Sequence, residues 1–446
     1  MFKREIISEF KQWADKNDRK PLVLRGARQV GKTTSVEIFS KDFDQYIYLN
    51  LEKPEECILF ENNYTFNDLL MTIFLYSGKS RKKGKTLIFI DEIQNSSKAI
   101  ALLRYFYEEA KDLYVITAGS LLESILDRNI SFPVGRVEYM VLHPCSFREF
   151  LNATGETESL YLLEADVVPE YAHDHLTSLF KIYATIGGMP QVIREYAESR
   201  DLTVLQSIYD SLIISYQEDV EKYANASSQL LYVRHVISSV FTEAGNRITF
   251  EKFGHSLYRS REIKDAFNVL ERTMLLKLVY PVSTVQLPLI PNLRKRPRLQ
   301  LIDTGIVNHA TGLMGELVFT QNISDVYRGR IAEHIVGQEF LTTSYLASNK
   351  LQFWVRDKNE SDAEIDYILP WKEFLVPIEV KSGSVGKLRS LHQYMELSTC
   401  PVAVRVWQGK QSIEKVKTIT GKEFSLINLP FYLVHRLSKE LNRFFK

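Results

Sequence analysis

The chain has 446 residues, which predicts about three domains at ~150 residues per domain. Hydrophobic residues make up 45% of the chain and charged residues 25%, which is typical of globular proteins and excludes a mostly disordered, collagen-like or coiled-coil chain. Lysine and arginine number 56 and aspartate and glutamate 55, so the net charge of +1 argues against a protein that coats nucleic acid by bulk charge. Local basic patches stay open as nucleic-acid contacts.

The cysteines and the N-terminus indicate a cytoplasmic protein. Cys57, Cys145 and Cys400 lie far apart and form no CxxC pair, so we expect neither a disulfide framework nor a zinc site. The N-terminal segment is charged throughout, unlike a secretory signal, and no apolar run approaches the ~20 residues of a membrane helix. We therefore expect a soluble, cytoplasmic chain with no membrane partner.

Residues 1–160 alternate short apolar runs with helical patterns. The runs are PLVLRG at 21–26, YIYLNL at 46–51, TLIFIDE at 86–92 and LYVITAG at 113–119. Apolar runs that alternate with helices of this length are typical of a parallel sheet with crossover helices. This region is therefore predicted to be one α/β domain.

Two further regions follow. Residues 161–320 are dominated by long helical patterns, and within them the stretch 248–282 gives helix, turn, helix and strand, the order of a winged-helix unit; a plain helical bundle is the alternative. Residues 321–446 give a helix, three strands, a helix and a strand, which predicts a separate C-terminal α/β domain.

The segment from Gly26 to Thr33 has the spacing GxxxxGK[ST], between an apolar run and a helical pattern. Its glycines allow a close approach of the backbone, so that successive N–H groups can face phosphate oxygens at the positive end of the next helix. Lys32 is placed to reach the β- and γ-phosphates, and the Thr33 hydroxyl to hold Mg²⁺. The predicted nucleotide-binding residues are Gly26, Ala27, Arg28, Gln29, Val30, Gly31, Lys32, Thr33 and Thr34.

The apolar run at 87–90 ends in two acids, Asp91 and Glu92. Open α/β sheets bind ligands at the carboxyl ends of their strands. We expect Asp91 to hold Mg²⁺ and Glu92 to orient or polarise the attacking water. Two acids after a strand are often only a helix N-cap, but together with the glycine loop they predict nucleotide hydrolysis.

Further catalytic residues are sought near the ends of the neighbouring elements. Ser120 follows the strand at 113–117, where a hydroxyl can contact the γ-phosphate or the attacking water; Thr117 is the second candidate, and a helix cap is the other role open to Ser120. An arginine is expected to stabilise the transferring phosphate. Arg136 is the first candidate and Arg128 the second, with a plain surface arginine as the alternative.

Taken together, the motifs resemble one family. The segments are GARQVGKTT, LIFIDEIQNS, TAGSLLES, FPVGRVEYMVLHPCSFREFL, GGMPQV, IDTGIVNH, RGRIAEHIVGQEFL, AEIDYIL and PIEVKSG. They are similar to AAA-type ATPases of bacteria and archaea that carry a C-terminal domain of unknown role, and the similarity extends over nearly the whole chain. The resemblance implies ATP and Mg²⁺ as cofactors, a P-loop NTPase core of AAA type, a winged-helix-like middle region and a restriction-endonuclease-like C-terminal α/β domain.

The resemblance implies no settled biological role. Three functions stay open: an ATP-driven switch coupled to DNA or to a protein partner, an ATP-regulated nuclease, and a slowly hydrolysing adaptor protein. A homo-oligomer stays open as well.

The C-terminal region offers a second candidate site. Glu379 and Lys381 stand two apart on a predicted strand and so share one face; Asp366 comes thirteen residues earlier, and Glu333 lies on the preceding helix. Three carboxylates and a lysine could hold a divalent metal and activate water for phosphodiester cleavage, and this spacing resembles the nuclease fold. The alternatives are a buried ion-pair network, with Lys381 paired to Glu379 or Asp366, and a surface that only binds nucleic acid or a partner.

Two basic segments and a histidine pair complete the candidates. Residues 79–85 are expected to form a solvated loop, and residues 294–298 follow the predicted wing, where they would meet either DNA or solvent. His173 and His175 would point apart on a helix, so we expect surface residues rather than a metal pair.

Overall fold

The computed structural model describes residues 2–119, 132–221, 227–315, 330–357, 363–381 and 388–446. The chain divides into two compact units. The first comprises Met1–His143, Arg272–Leu275 and Tyr345–Asn349, and the second Pro144–Glu271, Leu276–Ser344 and Lys350–Lys446. No helix in the described ranges has the length and apolar character needed to cross a membrane.

The first unit is built on a parallel sheet. Its strands are β1 (Leu22–Arg25), β2 (Gln45–Asn50), β3 (Thr86–Asp91), β4 (Tyr114–Ala118) and β5 (Glu138–Val141). They lie in the order β2-β3-β4-β1-β5, and every pair is parallel. All residues of β3 are buried, as expected for a central strand covered on both faces.

Helices precede and connect these strands. They are α1 (Ile6–Ala14), α2 (Lys32–Phe39), α3 (Pro54–Glu61), α4 (Phe66–Tyr76) and α5 (Ser97–Glu109). The Thr65 hydroxyl caps α4 and the Ser96 hydroxyl caps α5, each accepting from a backbone N–H of the first turn. Helix α1 buries Phe10 and Trp13, and the Phe10 ring lies 5.4 Å from the ring of Phe39 on α2. The predicted α/β domain with a parallel sheet is confirmed.

The second unit begins with helices. They are α6 (Phe147–Ala153), α7 (Thr157–Glu164), α8 (His173–Ile186), α9 (Pro190–Ser199), α10 (Gln206–Glu221), α11 (Ser227–Ser239) and α12 (Ser260–Arg272), whose last residue belongs to the first unit. Residues 175–199, part of the long helical patterns predicted for this region, form two helices, because α8 ends before Gly187 and α9 begins at Pro190. Proline is favoured at the first position of a helix, where its missing N–H costs nothing.

Short strands follow α12. Strand β6 (Leu276–Val279) pairs antiparallel with β8 (Arg298–Leu301), and Arg247 forms an isolated bridge to Arg298. A second small sheet contains β7 (Pro281–Val282), β9 (Phe353–Val355) and β10 (Glu364–Ile365).

The rest of the second unit is a mixed sheet with helices. The helices are α13 (Thr304–Ala310), α14 (Arg330–Thr342), α15 (Arg389–Leu397) and α16 (Leu437–Phe444), and the strands β11 (Tyr367–Trp371), β12 (Phe374–Lys381), β13 (Val402–Trp407), β14 (Ser412–Lys417) and β15 (Glu423–Pro430). The strand order is β11-β12-β13-β15-β14, with parallel pairs in the centre and an antiparallel pair at each edge.

Three of the family-like motifs meet in the interior of the second unit. Asp303 caps α13 and also accepts hydrogen bonds from the backbone N–H of Gly188 and the side-chain amide of Gln338. Glu339 accepts from the backbone N–H of Phe147 and, at 2.7 Å, from the hydroxyl of Tyr183. The GGMP, IDTG and GQEF segments therefore form a buried polar network that holds helices together.

Candidate functional site

The glycine loop after β1 has the backbone geometry of a phosphate cradle. Gly26 has a φ of 155°, and a Cβ placed there would lie 2.5 Å from the carbonyl oxygen of Leu142. Gly31 has a φ of 94° and immediately precedes α2. The loop therefore excludes side chains at these positions and delivers the chain to a helix N-terminus, where backbone N–H groups and the helix dipole favour an anion.

Lys32 is buried at the start of α2. Its ammonium donates to the carbonyl oxygens of Gly26 and Ala27, at 2.9 Å each. The charge is thus held over the loop by neutral carbonyl groups that phosphate oxygens can replace as partners.

An arginine near the N-terminus braces the same loop. Arg4 is buried, and its guanidinium donates to the carbonyl oxygen of Val30 at 2.7 Å and to that of His143 at 2.8 Å. Arg4 was not predicted from the sequence, because its contact with Val30 spans 26 residues and no local sequence pattern indicates it. The loop is fixed from outside as well as by its own glycines.

The predicted magnesium ligands lie side by side. The Thr33 hydroxyl donates to Asp91 Oδ2 at 2.7 Å, and the backbone N–H of Glu92 donates to Asp91 Oδ1 at 3.0 Å. Burial raises the pKa of Asp91, and the Thr33 hydrogen bond acts against that rise. A carboxylate beside a hydroxyl at the mouth of a phosphate loop is the oxygen donor set that Mg²⁺ prefers, so the residues present fit the ion.

Glu92 is held in an unusual position next to this pair. Its φ of 50° is left-handed, a conformation that costs a non-glycine residue about 1–2 kcal/mol and that recurs at functional sites. The Gln94 side-chain amide donates to the Glu92 carboxylate. Burial raises the pKa of Glu92 and the Gln94 hydrogen bond opposes this. Sequence reasoning missed Gln94, although its place in the motif DEIQ, two residues after the acid, was a usable signal.

Of the other hydroxyls and arginines predicted to contact phosphate, Thr117 and Arg136 lie among the described residues. Thr117 lies on β4, between β1 and β3, and its buried hydroxyl has no hydrogen-bond partner among the described residues. Ser120 and Arg128 lie outside the described residues. Tyr48, which was not predicted, donates a long hydrogen bond of 3.4 Å to Asp91 Oδ2.

Arg136 is not brought to the glycine loop. It precedes β5, whose Glu138 pairs with Leu22, the first residue of β1, whereas the loop follows Arg25, the last residue of that strand. Arg136 therefore lies at the amino edge of the sheet, opposite the edge that carries the loop. Its guanidinium pairs with Glu108 at 2.9 Å.

In the second unit, Arg298 lies among the predicted C-terminal acids. The residue is 4% exposed, and its guanidinium lies 3.5 Å from a Glu333 oxygen and 3.7 Å from an Asp366 oxygen. It also forms an ion pair with Glu364 and donates to the backbone carbonyl of Asp366 at 2.9 Å. Burial lowers the pKa of Arg298, but the surrounding carboxylates outweigh this and raise the pKa above its ordinary value.

Glu379 on β12 completes this acidic cluster, which comprises Glu333 on α14, Glu364 on β10, Asp366 between β10 and β11, and Glu379. Lys381 pairs with Glu379 Oε1 at 2.7 Å, and Asp366 Oδ2 accepts from the backbone N–H of Val380 at 2.7 Å. Burial and the Asp366 charge raise the pKa of Glu333 and of Glu379 to about 8. Among the described residues, no three His, Cys, Asp or Glu side chains are placed to hold one metal ion.

The two basic segments differ in how much of each is exposed. The loop at 79–85 is mostly exposed and is held by Gln45, whose amide donates to the carbonyls of Ser80 and Lys83. Of the segment at 294–298, Arg294 and Arg296 are exposed, but Arg298 is buried in β8 and cannot meet DNA.

The two histidines at the start of α8 have separate partners. His173 Nδ1 lies 3.0 Å from the Tyr432 hydroxyl, and His175 Nε2 lies 2.9 Å from the Ser159 hydroxyl. They point apart.

Family models match three parts of the chain. Residues 18–151 match an AAA domain, residues 177–317 match a domain of unknown function (DUF8612), and residues 328–432 match a second domain of unknown function (DUF4143). No curated protein matches the chain.

Several solved structures are similar at low identity. A Walker-type ATPase of Pyrococcus abyssi is 14% identical, with 70% of this chain and 96% of that chain covered and a TM-score of 0.45. The Orc1 protein of Aeropyrum pernix in complex with DNA is 14% identical, with coverages of 69% and 90% and a TM-score of 0.29. The RuvB Holliday junction branch migration motor of Thermotoga maritima is 14% identical, with coverages of 62% and 90% and a TM-score of 0.27.

At TM-scores below 0.5, these likenesses say nothing about what this chain acts on. Residues 18–151 are therefore assigned to the AAA domain family, and the parallel sheet and the glycine loop agree with a P-loop NTPase fold in this region.

Proposed function

We propose that the chain hydrolyses ATP with Mg²⁺ and uses the hydrolysis as a switch. The observation that carries this proposal is the meeting of Lys32, Thr33 and Asp91 at the mouth of the glycine loop. The loop N–H groups and Lys32 bind the β- and γ-phosphates. Thr33 and Asp91 hold Mg²⁺, which neutralises charge that develops on the phosphate oxygens.

Glu92 orients the attacking water in this proposal. Its carboxylate is close to the metal pair and is fixed by Gln94, so it can accept a proton from water without first having to find its position. Thr117 lies on β4, between β1, which leads into the glycine loop, and β3, which ends at Asp91. In this proposal its buried hydroxyl contacts the γ-phosphate.

The experiment is ATP turnover by the full chain with Mg²⁺ and with excess EDTA. Asp91→Asn should remove the Mg²⁺-dependent rate while leaving the protein folded, because the change is isosteric. Asp112→Asn, at an exposed position of the same unit, is the matched control and should leave turnover unchanged. Equal turnover by wild type and Asp91→Asn would contradict the assignment.

A second function, binding of duplex DNA, is favoured by the order of elements in the middle region. The elements of this region follow the order of a winged helix. They are helix α11, the bridge at Arg247, a short 3₁₀ turn at Phe253–His255, helix α12 and the β6–β8 pair. We propose that α12 is the recognition helix, which would enter the major groove. It exposes Arg261 and Lys264, and the segment before β8 exposes Arg294 and Arg296 for the phosphate backbone.

This second proposal is tested by fluorescence anisotropy on a short duplex at several salt concentrations. Replacing Arg294 and Arg296 with alanine should weaken binding to all sequences and reduce the salt slope by about 0.9 for each phosphate that the protein no longer neutralises. Replacing Lys410 and Lys417, two exposed lysines far along the chain, is the control. Salt-dependent binding that survives the first pair of changes would place the DNA elsewhere, with the loop at 79–85 as the next candidate.

A further inference from the structure

The resemblance to restriction endonucleases assigns a divalent metal to Asp366 and Glu379. The fit of these residues to a metal can be judged from the surroundings of Asp366. The position beside its carboxylate is taken by the guanidinium of Arg298, which also contacts Glu333 and Glu364. A metal ion bonded to Asp366 Oδ1 together with Glu333 or Glu364 would have to lie within about 2.0–2.6 Å of their oxygens, in the space that the guanidinium fills. A metal ion between Asp366 and Glu379 would lie next to that guanidinium and to the ammonium of Lys381, which pairs with Glu379.

The contacts of Arg298 hold its guanidinium in a fixed position inside the protein. Its guanidinium donates to the Asp366 backbone carbonyl and lies 4.7 Å from the centre of the Phe353 ring and 5.8 Å from that of the Tyr367 ring. A planar guanidinium satisfies carboxylates and stacks on aromatic faces at the same time, which a metal ion cannot do. The pocket around Arg298 is therefore shaped for an arginine.

We infer that Arg298 is the built-in cation of the acidic cluster, that it takes the place of a divalent metal there, and that the two exclude one another. The C-terminal domain in this arrangement is a charge-compensated structural element and cleaves no phosphodiester bond. This inference is independent of the proposed ATPase.

The charges around the cluster support the exclusion. Three cations lie at this cluster of four acids: Arg298, Lys381 and, at 3.3 Å from Glu364, Arg247. Because the pKa of Glu333 and of Glu379 is raised to about 8, the four acids carry fewer than four negative charges at neutral pH. A divalent ion added to this set would place two further positive charges next to a buried guanidinium, so binding requires Arg298 to leave.

Arg298 also links the cluster to the winged-helix-like region. It is the first residue of β8, and it directly follows Pro297 and the exposed basic segment at 294–296. Residues 294–298 therefore place two arginines at the surface and a third, Arg298, among the C-terminal acids.

The test is calorimetric titration of the full, nucleotide-free chain with Mn²⁺, with every protein compared with its own Asp366→Asn partner. That comparison removes the contribution of any Mn²⁺ bound near Asp91, which is the same in both. Wild type and Asp366→Asn should give the same heats. Arg298→Met should gain a Mn²⁺ site at least about tenfold tighter than any seen in Arg298→Met/Asp366→Asn. Arg294→Met, an exposed change in the same basic segment, should behave like wild type.

A thermal readout complements the titration. Arg298→Met should unfold at a lower temperature than wild type, and Mn²⁺ should restore part of the loss, which it does not do for wild type or Arg294→Met. Mn²⁺ binding by wild type that Asp366→Asn abolishes would overturn the inference. So would a folded Arg298→Met that gains no Mn²⁺ site. If Arg298→Met does not fold, Arg298→Lys keeps one charge but loses the planar fork, and it should show the same gain of Mn²⁺ binding in weaker form.

Discussion

The glycine loop and the C-terminal acidic cluster use the same residue types in opposite ways. Both place carboxylates at a sheet next to a buried cation. In the loop, Lys32 donates to neutral carbonyl groups, and Asp91 accepts from the neutral hydroxyl of Thr33. In the cluster, Arg298 is bonded directly to the acids. The first arrangement leaves cation and acid in contact with groups that a phosphate or a metal can replace.

The difference has an energetic basis. A hydrogen bond between a charged side chain and a neutral carbonyl contributes about 1.5–3 kcal/mol, and a ligand oxygen can take the place of that carbonyl. Breaking a buried ion pair by removing one partner costs about 3–5 kcal/mol, because a charge is left uncompensated. A ligand site therefore needs weak internal partners, whereas a structural cluster needs strong ones.

The largest effect is expected from a matched pair of changes that tests this directly. Lys32→Ala should abolish ATP binding and turnover, because the ammonium that reaches the β- and γ-phosphates is lost. Arg298→Met should leave turnover near wild type and lower the free energy of unfolding by about 3–5 kcal/mol. Both quantities follow from an ATPase assay and denaturant unfolding. Loss of turnover in both variants, or in neither, would remove the distinction between the regions.

A smaller loss is expected at Glu92. Glu92→Gln keeps the shape and the contact to Gln94 but cannot accept a proton, so turnover should fall by about 10²-fold while ATP stays bound. Single-turnover kinetics and equilibrium binding of ATP separate the two quantities. Glu55→Gln, at an exposed position on α3, is the control. Turnover at the wild-type rate would show that Glu92 does not orient the water.

Arg4 should have a moderate effect, and on binding rather than on chemistry. Arg4→Met removes charge-assisted hydrogen bonds to the Val30 and His143 carbonyls, worth about 1.5–3 kcal/mol each, and so loosens the loop that must receive the phosphates. We expect the KM for ATP to rise by about tenfold, with kcat less affected. Lys11→Met on α1, the helix that follows Arg4, should leave both unchanged, because this lysine pairs with Asp42 at the surface. A fall in kcat at constant KM would assign Arg4 another role.

The sequence predicts those parts of the site that are local in the chain. The spacing from Gly26 to Thr33 and the apolar run ending at Asp91 each lie within ten residues, so pattern alone indicates the loop, the buried strand and the parallel sheet. Arg4 and Arg298 act over distances in the chain at which no spacing rule applies. Their burial, which determines what they do, depends on tertiary packing.

The C-terminal strands show the same limit. The pattern at 402–407 predicts β13, but no pattern predicts β14 at 412–417, because this edge strand is largely exposed and charged and so lacks a buried face to give alternating hydrophobicity. The ion-pair alternative for the acids follows from the sequence through Lys381, whereas the central cation, Arg298, stands in a segment that the sequence presents as a basic surface. Which cation neutralises a buried acid is decided by the fold.

The smallest effect is expected at Arg136, and it bears on whether the phosphate site is complete within one chain. Arg136 and the loop lie at opposite edges of the same sheet, so Arg136 can reach a transferring phosphate only if that phosphate is bound by a second copy. Arg136→Ala removes an exposed ion pair with Glu108, and exposed ion pairs contribute little to stability, so the fold should be unaffected. We therefore expect turnover per site to be unchanged in dilute protein and to fall below wild type only at concentrations at which the chain self-associates.

Arg104→Ala is the matched control, because Arg104 pairs with the same Glu108 at 3.0 Å and should leave turnover unchanged at every concentration. A rate that falls equally at all concentrations would mean that Arg136 acts within its own chain, and the phosphate site would then have to include the amino edge of the sheet.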